Sequence, residues 1–231
     1  KGLTTTDVGE LADTQVAALT ATQVGALSAT GFSALNATQV GALSETQIKG
    51  VTASQLKALT NTDIGELTTT QVGNLSSSQL AAITSTNISV LADTQVAALT
   101  TEQLGAFGKF QLNSLTTTQL RALTSDQVTS LTTSQVALLS ANQLSALSTD
   151  NLALLDSSQV QAISVGTLKS LSTDFIKGLS TEQFTSLQNI QLTNLTAAQL
   201  QAVETEDLVA LSSTQLGNLK PSQIEQLTTT Q

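Results

Sequence analysis

The stretch LTATQVGA LSATGFSA LNATQVGA, residues 19–42, returns to leucine every eight residues. An uninterrupted helix returns to one face after seven or eleven residues, and a strand after two. A period of eight therefore divides the chain into units that each contain a turn. Numbered from its leucine, position 1 of the octad falls at Leu3, Leu11, Leu19 and onward to Leu227, with no insertion or deletion. Val51, Ile83, Phe107, Ile163 and Val203 are the exceptions, and each is apolar. Position 6 runs from Val8 to Ile224 and is apolar throughout. Position 5 is mostly Gln, and position 8 is usually small. The 231 residues hold 28 complete octads and one partial one, which read as a single uninterrupted repeat domain over residues 1–231.

Each octad carries a helix-start signal. In Thr20-Ala21-Thr22-Gln23, the Thr20 hydroxyl is placed to accept the amide proton of Gln23, and the Gln23 side chain to reach back to the amide of Thr20. That is a reciprocal capping box. Leu19 before the cap and Val24 after it form the matching hydrophobic staple, which puts positions 1 and 6 in contact. Pro221, the only proline, sits at position 3, the first helical residue, where its missing N–H is harmless. Twelve of the 17 acids lie at positions 3, 4 or 5, in the first turn. Five of the eight bases (Lys49, Lys57, Arg121, Lys169 and Lys177) lie at position 7, near the helix end. The helix dipole favours this distribution, and a strand gives no reason for it.

The expected fold is all-α: a repeat solenoid of very short capped helices, one per octad. A β-solenoid is the alternative, because Thr and Val favour strands. Positions 1 and 6 have opposite parity, however, so one flat strand cannot bury both. Helices of about six residues are unstable alone and need neighbours. Two or three octads per coil are expected, giving a rod of roughly 110–140 Å for two or roughly 75–95 Å for three. Neither end carries a polar terminal repeat, so the chain reads as a slice of a longer array or as a unit whose ends meet other copies.

Composition narrows the function. With 17 acids against 8 bases the chain has a net charge of −9, the wrong sign for nucleic acid. No apolar run reaches the length of a membrane span. The chain begins with Lys and shows no signal peptide, as a trimmed piece of something longer would. There is no His and no Cys, which removes imidazole bases, His–metal sites and thiol nucleophiles. No catalytic, cofactor-binding or metal-binding residue is expected. The Gly residues at position 7 (Gly25, Gly41, Gly65, Gly73) belong to separate octads and form no phosphate loop. The acids Glu204, Glu206 and Asp207 lack the ligand number and loop of a calcium site, and read as helix N-terminal acids facing water.

Some octads depart from the pattern. Phe107-Gly108-Lys109-Phe110 puts Gly at the cap and Phe at position 4. Ile190 is also apolar at position 4, and Phe175 takes the Gln slot. In residues 163–167 both the Gln and the position-4 hydroxyl are lost. Phe107, Phe110, Phe175 and Ile190 are therefore candidate lateral or end contacts for another chain, against the plainer reading of local repacking or a bend. The Ser and Thr at positions 2, 3 and 4 would form hydroxyl rows if octads stack in register. Such rows suit ice, glycan or O-glycosylation, although capping and a neutral surface already account for these residues.

The pattern L-[ST]-x-[ST]-Q-[VIL]-x-[AGSN], complete in Leu67-Thr-Thr-Thr-Gln-Val-Gly-Asn74, resembles the octapeptide repeats of large bacterial surface or secreted proteins of adhesin-like or haemagglutinin-like type. The resemblance spans the chain. It implies an extracellular or cell-surface location, a structural or adhesive role and self-association, with no cofactor and no catalytic residues. The segment from Leu219 to Leu227 also resembles the helix start of TAL-effector repeats. Those have a longer period and a basic DNA-facing surface, so that likeness reflects shared capping physics.

Overall fold

The computed structural model describes residues 2–231. Within them are 28 α-helices of four to six residues, from α1 (Thr5–Gly9) to α28 (Pro221–Ile224), one for each complete octad. No strand occurs among the described residues, so the fold is the all-α repeat solenoid. The chain forms two compact units, Lys1–Ala122 and Leu123–Gln231.

The local construction is the same in both units. Position 2 is an extended N-cap, as at Thr20 (φ −73°, ψ 159°) and Ser180 (φ −68°, ψ 160°). At Thr20 the backbone N–H donates to the Gln23 Oε1 at 2.8 Å, and the Gln23 N–H donates to the Thr20 hydroxyl at 3.2 Å. Where position 2 is Ala92, only the glutamine half of the box survives, with Gln95 accepting from the Ala92 N–H at 2.6 Å. The position-1 residue then closes the helix. Its N–H donates to the position-6 carbonyl, as in Leu27 to Val24 (3.2 Å) and Val51 to Ile48 (3.1 Å).

In the longer helices the next position-1 residue itself leaves the helix in extended conformation, for example Leu27 at φ −60°, ψ 143°. Among the described residues none has positive φ, glycines included, so these ends do not use the left-handed glycine that commonly finishes a helix. The last carbonyls of a helix still need donors. The glutamine of a later octad supplies them. Helices stack on the third helix along the chain: α3 (Ala21–Ala26) packs on α6 (Glu45–Gly50), and in the second unit α17 (Thr133–Leu138) packs on α20 (Ser157–Ala162). Each coil therefore contains three octads. Gln55 Nε2 donates to the Val24 carbonyl at 2.8 Å and to the Leu27 carbonyl at 3.0 Å, one coil below. Gln71 repeats this with Val40 and Leu43, and Gln119 with Ile88 and Leu91. In the second unit Gln183 bonds Leu152 and Leu155, and Gln199 bonds Leu168 and Leu171.

Positions 1 and 6 form each unit's apolar core, with Val72, Leu75, Leu80 and Ile83 buried in one and Val160, Ile163, Leu168 and Leu171 in the other. Most of the position-5 glutamines, from Gln39 to Gln199, lie buried beside this core because both ends of the amide are bonded. Close approach is visible at α3 and α6. A methyl group on Gly50 would overlap the Ala21 backbone carbonyl, and one on Gly25 would lie 2.6 Å from the Gly50 oxygen.

Candidate functional site

The seam residues are occupied in holding coils together, so functional surface must come from what the seam leaves exposed. Residues that replace glutamine at position 5 show what the seam demands. Asn87 and Asn151 are shorter; their Nδ2 still donates to the carbonyl below (Leu59 at 2.8 Å, Leu123 at 2.9 Å), and no reciprocal box forms at either helix. Asp7 and Asp63 keep the box, accepting from the N–H of Thr4 and Thr60 at 2.8 Å each, but carry no proton for a carbonyl. Glutamine is the side chain that satisfies both requirements. The sequence reading assigned it only the box. The missed signal is that glutamate, which closes a box equally well, never occurs at position 5.

Of the candidate contact residues, Phe107 and Phe175 are buried in the cores of the first and second unit, at 3% and 5% exposure. They fill core space and present no lateral surface. Phe110 (79% exposed) and Ile190 (56%) do present apolar surface to solvent. Phe110 borders a groove of about 360 Å³ in the first unit with Ile83, Ser85, Gly108 and Lys109. Ile190 belongs to the second unit, where Val209 is also exposed. Another groove of the second unit, about 410 Å³, is bordered by Lys169, Thr196, Lys220 and Gln226.

The three-octad coil determines which hydroxyls line up. Residues 24 apart occupy one column. In the first unit position 4 gives Thr22, Thr46, Thr70, Thr94 and Thr118, all exposed. Position 3 gives no such row, since Thr69, Asp93 and Thr117 follow one another. In the second unit the position-4 residues Asp126, Asp150 and Asp174 make an exposed acidic column instead.

The acidic residues do not assemble a cation site. No group of three or more possible metal-ligating His, Cys, Asp or Glu occurs among the described residues. Glu204 and Glu206 face solvent, while Asp207 occupies the glutamine slot and is buried. In the first unit Asp63 accepts a bond from the Ser33 hydroxyl, and Glu66 stands where most octads have a small residue. One Glu66 oxygen, Oε2, is enclosed without a hydrogen-bond partner. Burial, and secondarily the charge of Asp63, raise the Glu66 carboxyl above its ordinary range. The bonds from the Thr4 backbone and hydroxyl lower that of Asp7. No helix among the described residues is long and apolar enough to cross a membrane.

The ALTTAQ repeat family matches residues 110–141. This supports a repeat region over a small part of the chain. No curated protein matches. Among solved structures, the chain is similar to the leucine-rich repeat-containing protein LegL7 from Legionella pneumophila. The two are 10% identical with a TM-score of 0.24, and the match covers 81% of this chain and 76% of that one. A superposition that poor carries no argument about fold or function.

Proposed function

We propose that the chain is a non-catalytic structural element, a rod, stalk or filament segment of a bacterial surface. The observation that carries this reading is the glutamine seam. In both units coil follows coil on the same pair of hydrogen bonds, and the side chains best able to build a site are committed to it. Stacking of this kind is quasi-one-dimensional, since each coil contacts its neighbours and a solenoid lengthens by repetition. The octad's resemblance to bacterial surface repeats supports an extracellular or cell-surface location. Small-angle scattering of the 231-residue chain tests the reading. An elongated particle is expected; a compact one with a radius of gyration of about 18 Å, the value for a globule of this length, rejects it.

A second reading, adhesion through ordered hydroxyls, is favoured by the exposed threonine column of the first unit. Under it, changing Thr46, Thr70 and Thr94 to Lys would abolish binding to ice or to a glycan array while leaving the circular dichroism unchanged. Equal binding by the variant and the parent chain removes this reading.

A further inference from the structure

We infer that residues 163–179 of the second unit are a built-in opening point, where α21 (Val165–Ser170) and α22 (Thr173–Lys177) leave the stack while the coils on either side stay closed. The inference rests on the structural reading above and gives the rod a defined place to yield. Position 5 of these helices is Thr167 and Phe175, and nowhere else do two successive octads lack glutamine there.

Each substitution removes both functions of the glutamine. The hydroxyl half of the cap persists, with the N–H of Thr167 and of Phe175 donating to the Ser164 and Ser172 hydroxyls at 3.1 Å each. The reciprocal half is gone at both helices, so the N–H groups of Ser164 and Ser172 lose their side-chain acceptor. The seam bonds are gone too. In intact octads the amide at residue i donates to carbonyls at i−28 and i−31. By that spacing Thr167 stands over Val136 and Leu139, and Phe175 over Leu144 and Leu147. Val136 and Leu144 keep the local N–H of Leu139 and Leu147, at 3.1 and 3.2 Å, but the carbonyls of Leu139 and Leu147 receive no hydrogen bond among the described residues. The Thr167 hydroxyl accepts from Ser164 at 2.9 Å instead of serving the coil below.

The bonds resume on both sides. Gln159 donates to Val128 and Leu131 at 3.1 and 2.7 Å, and Gln183 to Leu152 and Leu155 at 2.8 Å each. Other substitutions are milder, since Asn87 and Asn151 still reach the coil below and Asp63 still closes its box, each alone between glutamines. The apolar core runs on through the gap, where Ile163, Leu168, Leu171 and Ile176 are buried and Phe175 adds to them. Apolar contact is non-directional, so it holds the two helices in place without bonding their ends. Val165, Gly166 and Thr167 are weak helix formers, and helices this short do not persist without partners. Local opening therefore costs least here.

Trypsin reads the opening, because Lys169 and Lys177 lie in the two helices. Both are exposed at position 7, as are Lys49, Lys57 and Arg121, and each of the five precedes a small residue. Beside the latter three, Gln47, Gln55 and Gln119 make both seam bonds. Limited digestion of the 231-residue chain is expected to cut after Lys169 and Lys177 at least about tenfold faster than after the other three, since cleavage tracks the population of the opened form. Thr167→Gln restores the box and the donor, and should slow both cuts at least about threefold. Gln55→Thr moves the defect into the first unit and should speed the cut after Lys57. Equal rates at all five sites in the parent chain overturn the inference. So does a Thr167→Gln chain cut after Lys169 as fast as the parent, or a Gln55→Thr chain cut no faster after Lys57. An elongated particle with uniform cleavage overturns only the opening point, whereas a compact particle by scattering overturns the structural reading itself.

Discussion

Exchanging one atom of Gln55 separates its two functions. In Gln55→Glu the N–H of Thr52 keeps its acceptor, now 2.7 Å from the glutamine oxygen, while the carbonyls of Val24 and Leu27 lose their donor and face a buried carboxylate. The expected loss of stability is about 2–4 kcal/mol at pH 7, read by chemical denaturation. Desolvation raises the new carboxyl's pKa in the folded state, so stability returns as pH falls through that raised value, and the deficit at pH 4 should be smaller. Gln55→Asn makes the complementary change. Its shorter amide reaches the coil below, as at Asn87, and gives up the box, for a loss of about 0.5–1.5 kcal/mol without pH dependence. Glu66 runs the other way. Its enclosed oxygen has no partner, and Asp63 repels its charge. Glu66→Ala restores the small residue usual at position 8 and should stabilise by about 1 kcal/mol at pH 7. The raised carboxyl takes up a proton as pH falls through its folded value, which relieves the same strain in the parent chain. The gain in Tm should therefore shrink toward pH 4.

At the scale of the element, helices of four to six residues persist because the cap and a glutamine one coil later supply partners to backbone groups at their ends, as at Gln23, Val24 and Leu27. Close packing adds a steric constraint. Gly50 of α6 lies against the Ala21 carbonyl of α3, where backbone, not a movable side chain, blocks a methyl group. Gly50→Ala should cost about 1–3 kcal/mol despite alanine's better helix propensity, whereas Gly41→Ala, with open space around it, should be neutral or stabilising. Thermal melts of the two variants check the contrast. Helix positions, cap residues and the apolar pair were legible in the sequence because they are local, each set by residues within one octad. The three-octad coil was not. It follows from contacts 24 to 31 residues apart, and the octad pattern is equally regular for two per coil. The aromatic octads misled in part for the same reason. Phe107 keeps position 1 and so faces inward, and Phe175 takes a slot whose inward direction is set by the coil below. Phe110 and Ile190 share position 4, which faces solvent.

At the scale of the whole molecule, a seam of identical bonds makes stability a sum over neighbouring coils, and a defect in the seam divides that sum. Gln79 and Gln191 hold interior coils of different units, Gln79 through Ile48 and Val51, and Gln191 through Val160 and Ile163. Their glutamate variants remove donors at sites with no shared partner, so the two losses should add to within about 0.5 kcal/mol in the double variant. Cooperativity should also fall. With nearest-neighbour contacts alone, coils on either side of a weakened interface exchange little energy, and the denaturation curve of Gln79→Glu should broaden or divide into two transitions with a smaller apparent m-value. A variant that only shifts its midpoint, with the slope of the parent chain, would mean that the coils communicate beyond their neighbours. The glutamine seam would then not be the interaction that limits cooperativity.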